Sequence, residues 1–355
     1  MTDTSPNGSS APVGVAVVGL GYWGPNLLRV LSEDAAQASV LYACDTSAET
    51  RVSIGRRFRH VTMTGDYQSV LDDPAVEAVA IATPVSTHFE LADRALDAGK
   101  HVFVEKPLAH GVAEVEKLIA KAERNGLVLM PGHTFVYSPP VVRIKELIDG
   151  GELGDIYFIT MSRVNLGLHQ PDVSVIWDLA PHDISILSYW LGETAATASA
   201  AVRACIVPST PDVAFVNLRY PSGTLVHVEL SWLAPSKLRR TAIVGARKMV
   251  VYDDTSTEPV RIFDAGADLP DPETFGEYRM TYRTGDVLSL KIDPAEPLAL
   301  ELSEFLRAVR GGPAPRSSPA LGLEVVRTIE AVHRSLDSGG IPVAVVERDA
   351  DHATP

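Results

Sequence analysis

Residues 13–24 read Val13-Gly14-Val15-Ala16-Val17-Val18-Gly19-Leu20-Gly21-Tyr22-Trp23-Gly24, and the fold turns on them. Val13–Val18 is an apolar run of strand length, and Pro25–Leu31 opens a helix, where Pro is tolerated in the first turn. Between them stands a G-x-G-x-x-G pattern. Its first Gly makes a tight turn, its second lets the backbone approach a pyrophosphate, and its third allows close helix–strand packing. The helix N-terminus then offers unpaired N–H groups and partial positive charge to phosphates. Asp45 lies 21 residues after Gly24, at the end of a second apolar run, Val40–Cys44, where an acid binds adenosine ribose hydroxyls. The spacing predicts a dinucleotide site built from Gly19, Gly21, Tyr22, Trp23, Gly24 and Asp45. A carboxylate at position 45 repels a 2′-phosphate and so favours NAD, while Arg51, near in sequence, leaves NADP open.

Outward from this stretch the chain alternates strands and helices. Val76–Ala82, His101–Val104 and Leu127–Met130 are further buried-strand candidates. Thr87 and Glu90 form a capping-box pair before an amphipathic stretch ending at Gly99. Val115, Leu118, Ile119 and Ala122 share one helical face, stopped by Gly126. Continuous apolar strands separated by helices predict a parallel sheet covered on both faces.

From about Pro131 the pattern changes. Helices are expected at Pro140–Ile148 and Asp178–Leu191, with a strand at Ile156–Val164. Val213–Tyr220, Thr224–Leu233, Arg240–Val244 and Lys248–Tyr252 then follow without intervening helices, the first two joined across Pro221-Ser222-Gly223, which predicts a largely antiparallel sheet. Helices at Leu298–Val309 and Leu321–Leu336 and a strand at Ile341–Val346 close the chain. The fold class expected is an α/β Rossmann domain followed by an α+β domain with an open, largely antiparallel sheet. The expected boundaries are a flexible tail at 1–12, a dinucleotide-binding domain at 13–135, and a substrate-binding and oligomerisation domain at 136–350.

At 355 residues the chain is long enough for two cores. Acidic residues outnumber basic ones, 45 to 31, and the net charge of −14 disfavours nucleic acid and anionic membrane surfaces as partners. Two cysteines, Cys44 and Cys205, give neither a disulfide framework nor a metal-ligand spacing, so no metal is expected. No apolar run approaches the roughly 20 residues of a membrane span. The polar N-terminus has no signal-peptide pattern, so a cytoplasmic protein is expected. The runs Leu225–Leu233 and Ala242–Val251, with few helices left to cover them, predict a homo-oligomer, a dimer or tetramer, formed through the second sheet.

Glu105-Lys106-Pro107 follows directly on the strand His101–Val104. In an open α/β sheet ligands sit beyond the carboxyl ends of strands, which puts the Lys106 cation near a nicotinamide and its substrate. Taken alone, Lys106 is equally a surface lysine. Asp178 and His182, four apart, share a helix face; alone they are equally a cap and a hydrogen-bonded core histidine.

Taken together, Gly-Leu-Gly-Tyr-Trp-Gly at 19–24, Ala82-Thr83-Pro84 with His88, Glu105-Lys106-Pro107, and Asp178-x-x-x-His182 resemble the glucose–fructose oxidoreductase/inositol dehydrogenase (Gfo/Idh/MocA) family. The resemblance implies a Rossmann domain, a second domain on an open sheet often used in oligomer contacts, and redox chemistry at a carbinol carbon of a sugar, sugar nucleotide or cyclitol. It implies cofactor contacts at Thr83, Pro84, His88, Glu105 and Lys106. Lys106 becomes the active-site lysine, Asp178 and His182 the helix pair, and His182 the proton donor or acceptor. Residues 177–184 look closest to the branch acting on amino sugars or sugar nucleotides, often at C3. His133, Tyr137, Arg163, Asn165 and Trp177 are candidate substrate-pocket residues for which a structural role is equally open. Ala180-Pro181 depart from the family's more frequent Gly-x-His, and Pro181 is expected in a first helical turn, where it is tolerated.

The implied chemistry is physically coherent. Removing a hydride from a C–OH carbon requires the hydroxyl proton to leave, and an unperturbed His titrates near ~6.5. An acid one turn away orients such a base, and a lysine cation stabilises charge developing on the oxygen. The nicotinamide supplies the redox chemistry itself. Two other classes stay in view. A non-catalytic NAD-binding regulator is disfavoured by the joint presence of Lys106, Asp178 and His182. An NAD-dependent glycosidase with transient oxidation at C3 is not separated from a dehydrogenase by these residues.

Overall fold

A computed structural model describes residues 11–167, 173–268 and 281–346 of the chain. Most of the tail expected at 1–12 and the end of the second domain at 347–350 therefore lie outside the described residues. Contacts divide the chain into two units, the first running to Thr134 and including Glu296–Leu323, the second taking Phe135–Ala295 and the chain from Glu324 on.

The first unit is built on β1 (Val13–Val18), α1 (Gly24–Glu33), β2 (Ala38–Cys44), α2 (Ala48–Gly55), β3 (Thr62–Thr64), α3 (Tyr67–Asp72), β4 (Ala78–Ile81), α4 (His88–Asp97), β5 (His101–Glu105), α5 (Val112–Asn125) and β6 (Leu129–Gly132). Its six strands run in the order β3-β2-β1-β4-β5-β6, and every pair is parallel. Val13–Val18 is buried at every position, as a strand covered on both faces must be. Sequence reading missed β3, α2 and α3, each short and without a strong apolar period. The expected capping box does not form. The Thr87 hydroxyl instead contacts Thr83 Oγ1 at 2.7 Å and Pro84 O at 2.8 Å, closing a 3-10 turn, Val85–Thr87, ahead of α4.

The second unit holds α6 (Pro139–Asp149), β7 (Ile156–Leu166), α7 (Val175–Leu191), β8 (Thr197–Arg203), β9 (Val213–Arg219), β10 (Leu225–Ser231), β11 (Leu233–Gly245), β12 (Met249–Asp253), β13 (Val260–Asp268) and β14 (Thr281–Ser289). After α8 (Pro297–Val309) and α9 (Pro319–Asp337), the short β15 (Val343–Ala344) completes its sheet. The nine strands are ordered β14-β13-β12-β11-β7-β10-β9-β8-β15; β7 and β10 run parallel, and the other pairs are antiparallel. The Gly223 turn is as expected, with Gly223 N–H donating to Tyr220 O at 3.0 Å. Sequence reading missed β8, β13 and β14.

Two expectations are corrected. The second domain does not run unbroken from 136 to 350, because α8 belongs to the first unit. Its apolar face, Leu298, Leu302, Phe305 and Leu306, is buried there, and Phe305 packs edge-on against Phe103 of β5 with ring centroids 5.8 Å apart. Exposed ends add a pair between Arg29 and Glu296 and another between Arg310 and Glu77 at 2.7 Å. The other correction concerns α7, which starts at Val175, so Pro181 stands inside the helix rather than in its first turn. It brings no N–H to the helical ladder at that point.

Among the described residues no helix is long and apolar enough to cross a membrane, and no group of three or more His, Cys, Asp or Glu could hold a metal ion. Cys44 is buried, Cys205 exposed, and both are free.

Candidate active site

In the first unit the parallel order sets the carboxyl ends of β1, β4 and β5 side by side. From these ends run Gly19–Gly24, Ala82-Thr83-Pro84 and Glu105-Lys106-Pro107, so three motifs far apart in sequence share one edge of one sheet. The first is shaped by steric necessity. Gly19 has φ +88°, and a Cβ there would stand 2.6 Å from Ala82 O; at Gly24 it would stand 1.8 Å from Gly19 O. A Cβ at Gly21 would meet nothing within 4 Å, leaving open space in front of that backbone. The helix that follows has no side-chain N-cap and no acidic residue in its first turn. A glycine bend with an open backbone, leading to an uncapped helix N-terminus, fits a dinucleotide pyrophosphate. Tyr22 is 88% exposed and Trp23 half-buried.

Asp45 braces this loop. Its Oδ2 accepts the Leu20 N–H at 2.7 Å and its Oδ1 accepts the Ser47 N–H at 2.7 Å. Each oxygen keeps lone-pair capacity for a ribose hydroxyl. Arg51 donates to the Asp45 and Thr46 carbonyls at 2.6 and 3.0 Å, which places its guanidinium at the same end of the site.

Around Lys106 lie buried groups that sequence reasoning undervalued. The Glu105 carboxyl is pushed up to about 7 by burial, with the Lys106 cation opposing; the Trp23 indole nitrogen lies near it without closing a hydrogen bond. Gly132 leaves room for it, since a Cβ there would stand 3.1 Å from Glu105 Oε2. Glu301 of α8 is fully buried and held well above the usual carboxylate range by burial and by the Glu105 charge, while its Oε2 accepts the Thr134 hydroxyl at 2.7 Å. One signal could have found it. Glu301 stands on the apolar stripe of its own helix, between Leu298 and Leu302, where an acid is out of place.

His133 is buried, and neither ring nitrogen has a hydrogen-bond partner among the described residues. Burial, and then the Lys106 cation, push its pKa down to about 3, so the ring is neutral. His88 is also buried, but both its nitrogens are engaged by backbone carbonyls, those of Pro107 and Thr83. Its nitrogens therefore face loop backbone. Thr83 is half-buried and Pro84 exposed.

In the second unit α7 carries Trp177, Asp178 and His182. Asp178 and His182 are half-buried; Asp178 Oδ2 accepts the Trp232 indole N–H at 3.0 Å. The His182 ring meets Phe135 edge-on, centroids 4.9 Å apart and planes at 70°. The guanidinium of Arg163 lies 4.6 Å from the Phe135 centroid, and that of Arg239 lies 5.5 Å from it.

Arg163 is largely engaged by an acid, with only its Nη1 lacking a hydrogen-bond partner among the described residues. Its Nε and Nη2 donate to the Asp183 carboxylate at 2.7–3.0 Å, and both side chains are buried. Burial works against its charge, but Asp183 outweighs it and keeps the guanidinium cationic. Arg163 thus braces the residue beside His182. Tyr137 is buried, and Trp177 is buried against His333 with near-parallel rings, centroids 5.8 Å apart. Asn165 is half-buried on β7. Phe135, Asp183 and Trp232 were not singled out from sequence. Nothing local marks Phe135 or Trp232, and Asp183 is marked only by adjoining His182.

Comparison with known proteins agrees with this architecture. Residues 13–133 match the model of an oxidoreductase family with an NAD-binding Rossmann fold, Gfo/Idh/MocA, and residues 141–251 match the Gfo/Idh/MocA C-terminal domain. A scyllo-inositol 2-dehydrogenase (NAD+) of Bacillus subtilis is 26% identical, over 84% of this chain and 87% of the relative. A D-xylose 1-dehydrogenase (NADP+) of Haloferax volcanii is 28% identical, over 81% and 85%. The structure of GenD2 from gentamicin A biosynthesis, in complex with NAD, superposes with a TM-score of 0.80 at 24% identity, covering 96% of this chain and 99% of that one.

Proposed function

Because the chain belongs to the Gfo/Idh/MocA family of NAD(P)-dependent oxidoreductases, we propose that it exchanges a hydride between a nicotinamide and a secondary alcohol or ketone of a sugar-type substrate. The observation that carries this reading is the alignment of Gly19–Gly24, Thr83-Pro84 and Lys106 on the ends of three adjacent parallel strands. A regulator that only bound the dinucleotide would need the first motif and not the lysine. The names of the inositol and xylose relatives support a polyhydroxylated substrate. Within that class we favour an amino sugar or sugar nucleotide acted on at C3, on the strength of residues 177–184 and the likeness in fold to a UDP-N-acetylglucosamine 3-dehydrogenase from Acidithiobacillus ferrooxidans.

In this reading Gly19, Gly21 and Gly24 seat the pyrophosphate and Asp45 takes the adenosine ribose. When bound, the nicotinamide supplies the hydride acceptor or donor. His182 takes the hydroxyl proton as the C–H bond breaks and returns it in the reverse direction. Lys106 holds the substrate oxygen and stabilises the charge that develops on it. Asp178 orients the imidazole and favours its cationic form. His133, neutral and unpartnered beside Lys106, is suited to accept or donate one hydrogen bond to a ligand without adding charge.

The test is a panel of sugar nucleotides, amino sugars and cyclitols, followed by nicotinamide absorbance. Reduced cofactor accumulating with a UDP-amino sugar supports the reading. Glycoside cleavage without net reduction would identify a glycosidase with transient oxidation instead. NAD binding with no turnover across the panel would favour the regulator.

A further inference from the structure

Two loops of the first unit carry the groups that the proposed reaction uses beside the cofactor, Ala82-Thr83-Pro84 and Glu105-Lys106-Pro107. His88 is wedged between their backbones. Its Nδ1 lies 2.8 Å from Pro107 O and its Nε2 lies 2.9 Å from Thr83 O, and the residue is 1% exposed. Carbonyls only accept, so a neutral ring donates to one of them and packs its other nitrogen against the second, while a cationic ring donates to both. The ring itself is held at the first turn of α4, and the loop before it is locked by the Thr87–Thr83 hydroxyl contact at 2.7 Å. One side is thus fixed to a helix and a closed turn. The other side is the carbonyl of the residue immediately after Lys106.

We propose that His88 is a positioning residue for Lys106, tying the Lys106-Pro107 backbone to the Thr83 loop so that the lysine amine stands where the substrate oxygen must be held. This rests on the role given to Lys106 above. Pro107 transmits the constraint well, because its ring fixes φ and leaves little backbone freedom between the held carbonyl and Lys106. The Lys106 role is sensitive to placement: a displacement of about 1 Å in a catalytic group can cost on the order of 10²-fold in rate. The Asn carboxamide is shorter than the imidazole, so it cannot donate to one carbonyl and still pack against the other across the same gap.

The experiment is a double-mutant cycle on the full-length protein with NAD and the substrate found in the panel above. His88→Asn should lower kcat by ~10-fold or more, an effect of misplacement, while the NAD dissociation constant and substrate KM change little. In a Lys106→Ala background the same substitution should cost nothing further, since residues acting through one group are not additive. Wild-type kcat in His88→Asn overturns the proposal. So does a fully multiplicative loss in the double variant, with Lys106→Ala itself impaired, and then the role of Lys106 survives alone. Wild-type kcat in Lys106→Ala removes that role and this proposal with it. Should His88→Asn fail to fold, nitrogen-15 NMR of the histidine rings in unmodified protein decides. A His88 ring N–H protected from solvent exchange supports the tie, and one exchanging like an exposed imidazole overturns it.

Discussion

Trp232, at the junction of β10 and β11, donates its indole N–H to Oδ2 of Asp178 at 3.0 Å, so the acid one turn ahead of His182 is anchored from the sheet. Asp178 is thereby held one turn from His182 on the same helix, α7. Asp178→Asn should move the acid limb of the kcat/KM pH profile to lower pH, because the imidazolium loses a neighbouring charge. Trp232→Phe keeps the bulk and removes the donor; kcat should fall several-fold with the limb shifted less. An unmoved profile in Asp178→Asn would detach the acid from the proton-transfer step.

Lys106 and His182 are assigned different work, and kinetics can separate them. Lys106→Ala should lower kcat by ~10²–10³, the usual cost of losing one preorganised charge-stabilising donor. His182→Ala should cost roughly 10²–10⁴ and abolish the pH dependence in the histidine range, which Lys106→Ala should retain. Both variants should bind NAD. Near wild-type kcat with an unchanged profile in His182→Ala would take the histidine out of the mechanism.

Asp45 bears on cofactor choice twice, by its charge and by holding the Leu20 and Ser47 N–H groups. NAD(H) should bind more tightly than NADP(H) in direct titrations. Asp45→Ala should weaken NAD and narrow the gap, since the 2′-phosphate no longer meets a carboxylate. Equal or reversed affinities in the unmodified protein would contradict this, with Arg51 the first residue to change next.

Glu105 and Glu301 make a prediction about stability. Their pKa values lie above those of the unfolded chain, Glu105 at about 7 and Glu301 well above the usual range, with burial the leading cause for each. A raised carboxyl contributes stability below the unfolded value, near ~4.3, and that contribution is lost as pH rises through the folded value. Stability should therefore decline between about pH 5 and 8. Glu301→Gln, still able to meet Thr134, should raise Tm at pH 8 and flatten that decline. A lower Tm at pH 8 with an undiminished slope would count against a proton held at this site.

The second sheet alters the argument for oligomerisation. Of the two apolar runs expected to bury both faces, Leu225–Leu233 is one-sided along β10, where buried residues alternate with His227 and Glu229 as they do with Asn217 and Arg219 on neighbouring β9. In Ala242–Val251, by contrast, both Val250 and Val251 of β12 are buried. Among the apolar residues that stay outward are Phe158, Phe215 and Leu225, with exposures of 42, 41 and 48%, Phe158 and Leu225 being register partners. A homo-oligomer formed on this face should give a mass above the monomer in light scattering at micromolar concentration. Leu225→Asp with Phe158→Asp should reduce that mass while leaving the fold intact. A monomer before mutation would dispose of the prediction.

The amino-acid sequence by itself determined the parts governed by local geometry. Gly19, Gly21 and Gly24 between an apolar strand and a helix announce the dinucleotide bend, and at Gly19 and Gly24 only glycine clears Ala82 O and Gly19 O. The change from strand–helix alternation to successive strands marked where one sheet gives way to another. Partners distant in sequence were decided only by tertiary structure. Helix α8 read as part of the second domain until Phe305 was seen against Phe103, about two hundred residues away in the chain. Arg163 read as a candidate pocket residue with a structural role open until Asp183 was seen on its Nε and Nη2, Thr87 as a cap until Thr83 took its hydroxyl, and Glu301 went unread until α8 buried it near Glu105. The physical reason is common to all four. Backbone pattern follows from residues a turn or a pleat apart, whereas the partner of a polar side chain depends on which elements the packed core brings within about 3 Å.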